Sequence, residues 1–450
     1  MTAPDWWIAG SRLNLSGSFP GPVREKDVCG RHKVKNMKQF LIIGTIFLVI
    51  EYYSFVALRT SIRSLDHGWH VVLYTTYVLL TMGVFVSVYS FFHWRSGPWP
   101  SDTLKLTVNF FIGLFLGKFL ISAIMAVGDI FLVLKWMSKS MFFFIEGKTE
   151  MVKGGAGAVS RTQFISHTAL LLGGLLTTGL AYGMVNRYRY KIRRVQVPLK
   201  DLPEAFKGMK IAQISDIHSG SFGNADAVAE GIEAMMREKP DLILFTGDLV
   251  NDLATEIVPY IRIFKQLKAP LGIYSVLGNH DYGDYVSWPS AEAKRENLEQ
   301  LKQYHAAMGW RLLLNEHVIL EREQEKIALV GVENWGARAF TKYGNLKKAM
   351  SGLEPALFKL LMSHDPSHWD AEVRKEYPDI ALTLSGHTHG MQFGIEVPGF
   401  KWSPVQYMYK QWAGLYREGC QYLYVNRGFG FIGYQGRLGI LPEITIIDLA

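Results

Sequence analysis

Lys210-Ile211-Ala212-Gln213-Ile214-Ser215-Asp216-Ile217-His218 is the stretch on which the reading of this chain turns. A largely apolar run of strand length ends in a carboxylate and an imidazole two residues apart. Alternate side chains of an extended segment point the same way, so Asp216 and His218 can reach one metal ion. The arrangement recurs along the chain. Leu242-Ile243-Leu244-Phe245 leads to Gly247-Asp248, and Tyr274-Ser275-Val276-Leu277 leads to Gly278-Asn279-His280-Asp281. Leu360-Leu361-Met362 leads to Ser363-His364-Asp365, and Leu382-Thr383-Leu384 leads to Gly386-His387-Thr388-His389. One Asp-x-His is a common coincidence, whereas five such strand ends are not. Together they carry enough oxygen and imidazole ligands for two metal ions side by side, and paired ions commonly hydrolyse phosphate esters.

Around these segments, 450 residues leave room for two or three domains with ample core. Hydrophobic residues make up 49 %, and the long apolar runs are confined to the first 185 residues. The net charge of +8 arises partly from basic clusters beside those runs, which is what membrane insertion favours. Without an aromatic-interleaved basic stretch there is no case for a nucleic-acid partner. Cys29 and Cys420 lie far apart and suggest neither a metal pair nor a disulfide framework.

Residues 1–36 are polar, contain Gly and Pro, and read as a disordered extension; Met37-Lys38 directly before an apolar run reads as a natural alternative start. Residues 37–185 form a transmembrane region of about four helices, with spans near 40–58, 71–92, 106–134 and 164–184, each about the length that crosses a bilayer. Glu51, Lys118 and Asp129 fall inside them; Glu51 and Lys118 are expected to pair or to snorkel. Residues 186–206 read as a basic linker and residues 207–450 as a catalytic domain. Arg187, Arg189, Lys191, Arg193 and Arg194 after the fourth span, with Lys33, Lys35 and Lys38 before the first, favour a cytoplasmic catalytic domain. The basic loop between spans three and four, and a degraded twin-arginine pattern at Ser160-Arg161-Thr162-Gln163-Phe164-Ile165, argue for the opposite side. Strands are expected at 210–214, 242–246, 272–277, 328–332, 360–362, 380–384, 422–426 and 443–449, with helices at 225–238, 256–267 and 291–308. That alternation predicts an α/β domain whose ligands gather beyond the carboxyl ends of the strands.

Each candidate has a chemical rationale. Asp248 can bridge two cations through its two oxygens. The Asn279 carbonyl is a neutral hard ligand. His280, beside a ligand without needing to be one, can protonate a departing oxygen, and Asp281 can orient its imidazole. The mixed imidazole and carboxylate set suits Mn, Fe or Zn. Arg427 and Arg437 are candidates for binding a substrate phosphate. His305, His317 and His368 lack ligand spacing and read as surface or structural residues. Trp402, Tyr407, Tyr409 and Trp412 read as ordinary packing, with an apolar substrate wall or a membrane-contacting edge as the other readings.

Asp-x-His, Gly-Asp, Gly-Asn-His-Asp, His and Gly-His-x-His, all without departure between residues 207 and 448, resemble the calcineurin-like metallophosphoesterase superfamily. Ser363-His364-Asp365-Pro366-Ser367-His368-Trp369, Asn426-Arg427-Gly428-Phe429-Gly430 and Arg437-Leu438-Gly439 resemble its bacterial membrane-anchored branch. The resemblance implies a two-sheet β-sandwich flanked by helices, which the strand count matches without showing. It also implies that Asp216, His218 and His389 hold one divalent ion, that Asn279, His364 and His387 hold the other, and that Asp248 bridges them. His280 would be the acid at the leaving group. The expected activity is hydrolysis of phosphodiester or pyrophosphate bonds, on a phosphorylated and even lipid-linked substrate, by attack of a metal-bridging hydroxide. A phosphomonoesterase and a non-catalytic membrane receptor for a phosphorylated ligand are the alternatives; four spans without paired broken helices weaken a transporter.

Overall fold

The computed structural model describes residues 25–94, 101–146, 161–338 and 341–450. Four long helices come first: α1 (Glu25–Ile62), α2 (His67–Trp94), α3 (Asp102–Glu146) and α4 (Arg161–Val185). Each carries a stretch apolar and long enough to cross a membrane, over Ile42–Ile62, His67–Phe91, Asp102–Ser138 and Arg161–Tyr188. A helix suits hydrocarbon because it satisfies its own backbone polar groups. Residues 25–36, expected within a disordered extension, are instead the first turns of α1; their Glu, Lys, Arg and Val residues extend the helix that follows. Residues 1–24 of that extension lie outside the described residues.

Two contacts knit the helices. A Cβ built on Gly117 of α3 or Gly173 of α4 would stand 2.8 Å from the other's carbonyl oxygen, so only glycine allows this approach. The expected ion pair is present: Lys118 Nζ lies 2.9 and 2.8 Å from the two Glu51 carboxylate oxygens. The Tyr77 and Thr81 hydroxyls donate to the same carboxylate, so α1, α2 and α3 share one buried polar knot.

Beyond the helices, the chain builds two six-stranded sheets. The first runs β1 (Lys191–Val197), β14 (Glu443–Leu449), β2 (Lys210–Ile214), β3 (Leu242–Phe245), β4 (Ile273–Ser275) and β5 (Arg311–Leu312). The second runs β12 (Gly414–Glu418), β13 (Gln421–Val425), β9 (Ile380–Ser385), β8 (Phe358–Met362), β7 (Glu325–Gly331) and β6 (Glu316–Arg322). A separate ribbon pairs β10 (Ile395–Val397) with β11 (Phe400–Trp402). Strands β2 to β5 are mutually parallel, as are β7, β8, β9 and β13.

Side-chain alternation explains the layers. Leu242, Leu244, Leu360, Met362, Leu382 and Leu384 fill the core between the sheets. Ile243 and Phe245, one residue out of phase, face helix α5 (Ala225–Met236) through Val228 and Ile232. Leu361 and Leu423 face outward against Trp369 and Val373. The parallel strands therefore read as continuous apolar runs because both faces are covered. The expected two-sheet sandwich is the observed fold.

The basic segment 186–206 is not a linker. Its residues Lys191–Val197 form β1 and pair in parallel with β14 from Lys191↔Glu443 to Val197↔Leu449. The charged, edge-strand composition hid it, since Arg193 and Arg194 stay soluble by pairing with Glu443 and Glu238. The helix expected at 256–267 divides into a 3-10 turn over Ala254–Tyr260 and a short helix over Ile261–Phe264, because Pro259 interrupts the hydrogen-bond ladder.

His305, at the end of helix α7 (Ala291–Ala307), is structural: it is fully buried against Phe245 and Trp310, with Nδ1 3.0 Å from Ser275 Oγ. Burial pushes its imidazole down to about 3. The native state therefore keeps it neutral while the unfolded chain takes up a proton below about pH 6.5. Its contribution is complete above that pH and is lost as the pH falls toward 3, by at most about 1.4 kcal/mol per unit. His305→Gln, which keeps a partner for Ser275, is expected to lower the thermal midpoint at pH 7.5, with the gap to wild type narrowing between pH 6.5 and 5.

Candidate dinuclear metal centre

The strand-end segments of both sheets meet at one place. Asp216 and His218 follow β2, Asp248 follows β3, Asn279 and His280 follow β4, His364 follows β8, and His387 and His389 follow β9. Two groups have ligand atoms within 4.8 Å of one another and could each hold a metal ion: Asp216, His218 and His389, and Asp248, His364 and His387. Asp248 joins them, with Oδ2 3.1 Å from His364 Nε2 and 3.6 Å from His218 Nε2. Asn279 Oδ1 lies 2.9 Å from His387 Nδ1, which brings the amide into the second group. Within the first group, His389 Nε2 lies 3.2 Å from Asp216 Oδ1.

The side chains do not converge by strand alternation, as expected for Asp216 and His218. Strand β2 ends at Ile214, and Asp216, His218, Asp248, His387 and His389 all adopt left-handed backbone, with φ of 52°, 49°, 61°, 71° and 50°. Each such turn costs a non-glycine residue about 1 kcal/mol or more, and strain of this kind collects at functional sites. Gly247, at φ 101°, relaxes the same turn just before Asp248. Asp281 holds the Asp248 turn in place: its carboxylate accepts from the backbone N–H groups of Gly278, Asp248 and Leu249 at 2.8, 2.9 and 2.8 Å.

That use of Asp281 corrects its expected role. His280 is oriented instead by the carbonyl of Asn251, 2.8 Å from its Nδ1. A carbonyl only accepts, so Nδ1 carries the hydrogen and Nε2 is the nitrogen open to proton exchange. The ring stands edge-on to His218, with centroids 4.9 Å apart, and beside Tyr285 at 4.6 Å. The same logic applies to His364, whose Nδ1 lies 2.8 Å from the Thr246 carbonyl and leaves Nε2 as the donor atom.

The electrostatics suit cations. Burial opposes ionisation of Asp216 and Asp248, yet the neighbouring imidazoles hold both carboxyls below their ordinary range. Burial keeps His218, His387 and His389 below the usual imidazole value, and so neutral. His364 is the exception: burial works against its proton, but the charge of Asp248 outweighs it and raises the group to about 10. The pocket thus calls for positive charge and offers ionised carboxylates and neutral imidazoles around it, the forms in which these groups bind metal. Nδ1 and Nε2 of His218 and Nε2 of His389 are buried without a hydrogen-bond partner. Buried polar atoms are rarely left so unless something coordinates them, and the residues fit a metal pair.

Neither arginine lies open to a substrate phosphate. Arg427 is buried and paired with Glu443 at 2.6 Å and Glu396 at 2.7 Å. Arg437 is fully buried, and its guanidinium donates to the carbonyls of Arg427 at 2.7 Å and His389 at 3.1 Å, with Gly430 also a partner. Both brace the loop behind the candidate metal ligands. His368 is likewise structural, held between Ser363 Oγ at 2.8 Å and Glu372 at 3.1 Å, and His317 Nδ1 lies 2.8 Å from the Ala349 carbonyl. Tyr409, read as ordinary packing, instead places its hydroxyl 2.8 Å from His387 Nε2, with Asp365 Oδ2 3.7 Å from the same nitrogen. The Tyr285 hydroxyl accepts from the Asn279 amide nitrogen at 2.8 Å. No spacing pointed to either tyrosine; only Asp365 sits in a recognisable motif.

The comparisons with known proteins agree with this geometry. Residues 209–391 match the family described as calcineurin-like phosphoesterase, and residues 37–187 match that described as the probable transmembrane domain of calcineurin-like phosphoesterases. The metallophosphoesterase YkuE of Bacillus subtilis is 30 % identical over 65 % of this chain and 98 % of its own length. A transmembrane protein with metallophosphoesterase domain from Danio rerio is 30 % identical over 61 % of this chain, and the alignment spans 61 % of that protein. A UDP-2,3-diacylglucosamine pyrophosphatase, LpxG of Chlamydia muridarum, is 27 % identical over 55 % of this chain and 86 % of its own length. Four membrane-crossing helices ahead of a two-sheet sandwich, with Asp and His ligands gathered at its strand ends, make this chain a membrane-bound member of the calcineurin-like phosphoesterases.

Proposed function

We propose that this centre hydrolyses a phosphodiester or pyrophosphate bond of a lipid-linked substrate, using two divalent ions among Mn, Fe and Zn. The observation that carries the reading is Asp248, whose carboxylate lies between two imidazole-bearing groups. Asp216, His218 and His389 would hold one ion, Asn279, His364 and His387 the other, and Asp248 both. When bound, the ions supply Lewis acidity, making water a nucleophile at neutral pH and taking up charge on the phosphoryl oxygens.

The rest of the work falls to the chain itself. His280, in its doubly protonated form, would give the Nε2 proton to the departing oxygen and keep the Nδ1 hydrogen on the Asn251 carbonyl. Tyr409 steadies His387 from outside the ligand set, and the Asp281 carboxylate keeps the Asp248 turn from relaxing. Two things support a lipid-linked substrate: the attachment of the domain to four spans, and the likeness to LpxG, named as a UDP-2,3-diacylglucosamine pyrophosphatase. The basic residues that follow α4 support placing the domain on the cytoplasmic face.

The detergent-purified protein in manganese is expected to cleave bis(4-nitrophenyl) phosphate faster than 4-nitrophenyl phosphate; the reverse order would favour a phosphomonoesterase. Asp248→Ala is expected to lower bound metal, measured by inductively coupled plasma mass spectrometry, from about two equivalents to one or fewer, and to abolish both activities. His280→Asn is expected to keep its metal and lose roughly 10²- to 10⁴-fold in kcat, more on an alkyl leaving group than on nitrophenolate. Equal losses on both leaving groups would remove His280 from the role of acid.

A further inference from the structure

Large apolar side chains left exposed beyond residue 190 are gathered in one place. Met391, Ile395, Val397, Phe400, Tyr407 and Met408 are 48 to 78 % exposed; elsewhere among the described residues of this part only Val258, Tyr285 and Ile319 stand out, at 43 to 47 %. Three of the six belong to the β10–β11 ribbon. Ile395 pairs with Trp402, Glu396 with Lys401 and Val397 with Phe400. Directly paired residues share a face and neighbours alternate, so Ile395, Val397, Phe400 and Trp402 lie on one side and Glu396 and Lys401 on the other.

The charged side is the one turned into the protein. Glu396 pairs with Arg193 and Arg427, and Lys401 donates to the Ala413 carbonyl. For a ribbon in water this is an unusual division, with Glu396 half-buried and paired while Ile395, Val397 and Phe400 stand wet. A contiguous apolar patch of this kind marks a surface made for something other than water.

The root of the ribbon shows what covers it. Phe393 pairs with Leu438, Gly394 N–H donates to the Leu438 carbonyl at 2.9 Å, and Leu438 lies against Gly179 and Gly183 of α4. Arg437 N–H donates to the Gly183 carbonyl at 2.8 Å, and the Tyr434 hydroxyl bonds that of Leu180. All three α4 positions lie within the membrane-crossing stretch Arg161–Tyr188, on which Tyr182 and Val185 are also exposed. At its other end the patch reaches the metal ligands, since Met391 follows His389 by two residues and Met408 precedes Tyr409, the partner of His387.

We propose that the β10–β11 ribbon and the turn at 404–408 seat in the acyl-chain boundary of the leaflet from which α4 emerges, opening the metal centre toward the lipid phase. This rests on the reading of a lipid-linked substrate. The ribbon is then a second, non-spanning membrane contact, held by apolar side chains as interfacial elements are. Substrate enters along it with its tail in lipid and its phosphate toward Asp248.

The test uses the full chain with Cys29→Ser and Cys420→Ser, in phosphatidylcholine nanodiscs containing doxyl-labelled acyl chains. A nitrobenzoxadiazole label at Phe400→Cys or Val397→Cys is expected to be quenched like one at Leu175→Cys on the outer face of α4, while one at Ser351→Cys is not. Labels at 397 and 400 as unquenched as that at 351, whether wet or shielded by another protein, overturn the seat. In a second arm, Ile395→Ser/Val397→Ser/Phe400→Ser is compared with wild type on dodecyl and methyl 4-nitrophenyl phosphate. The dodecyl-to-methyl ratio of kcat/KM is expected to fall about tenfold or more, and an unchanged ratio overturns the route through lipid. Failure of wild type to cleave either diester would sink the phosphodiesterase reading, while the quenching still decides the seat.

Discussion

Two carboxylates and four imidazoles share one buried pocket, and the rest of the catalytic part is arranged around that crowding. Asp216 and Asp248 are out of water among His218, His364, His387 and His389. Such a set is stable only when charge and hydrogen bonding are balanced on all sides. The two sheets answer by delivering their parallel strands' carboxyl ends to the same point, so that no ligand has to be carried on a long loop. Left-handed turns then aim the side chains inward, and the Asp281 carboxylate clamps the N–H groups of the one at Asp248. Rigid backbone at this spot is what allows ligands to be pre-set before a cation arrives.

A second layer keeps the ligands in usable form. Carbonyls of Thr246 and Asn251 select one nitrogen each on His364 and His280. Tyr409 and Asp365 back His387, and the Arg437 guanidinium lies against His389. Arginine is well suited to that place, since a planar fork can serve several carbonyls at once while remaining charged. Arg427 does the parallel job one step away, tying β1, β14 and the β10–β11 ribbon through Glu443 and Glu396.

How much of this was legible in the sequence depends on how local the signal is. The residues that the fold brings together at the candidate centre were, because each sits within a few residues of an apolar run and the pattern repeats. The four spans were legible for the same reason, and the Glu51–Lys118 pair followed from the cost of leaving either charge alone in lipid. What escaped was set by tertiary partners. Lys191–Val197 carries charge at an edge strand and reads as a linker until Glu443 and Glu238 are placed beside it. Ile395–Val397 and Phe400–Trp402 are too short to announce themselves. Arg427 and Arg437 look like phosphate binders in one dimension, and only the fold shows their guanidinium groups already engaged. Asp281 was assigned to His280 by adjacency, whereas the backbone turns carry its oxygens to the N–H groups instead.

The seam between Arg437 and Gly183 bears on how this protein can be handled. One residue donates its backbone N–H to a helix in the membrane and its side chain to the carbonyl of a metal ligand. Cutting the chain after α4 to obtain a water-soluble enzyme would strip the acceptors from Arg437 and Tyr434, bare Leu438, and loosen the floor beneath His389. The anchor is therefore a wall of the enzyme as well as its mooring, and the smallest intact catalyst includes α4.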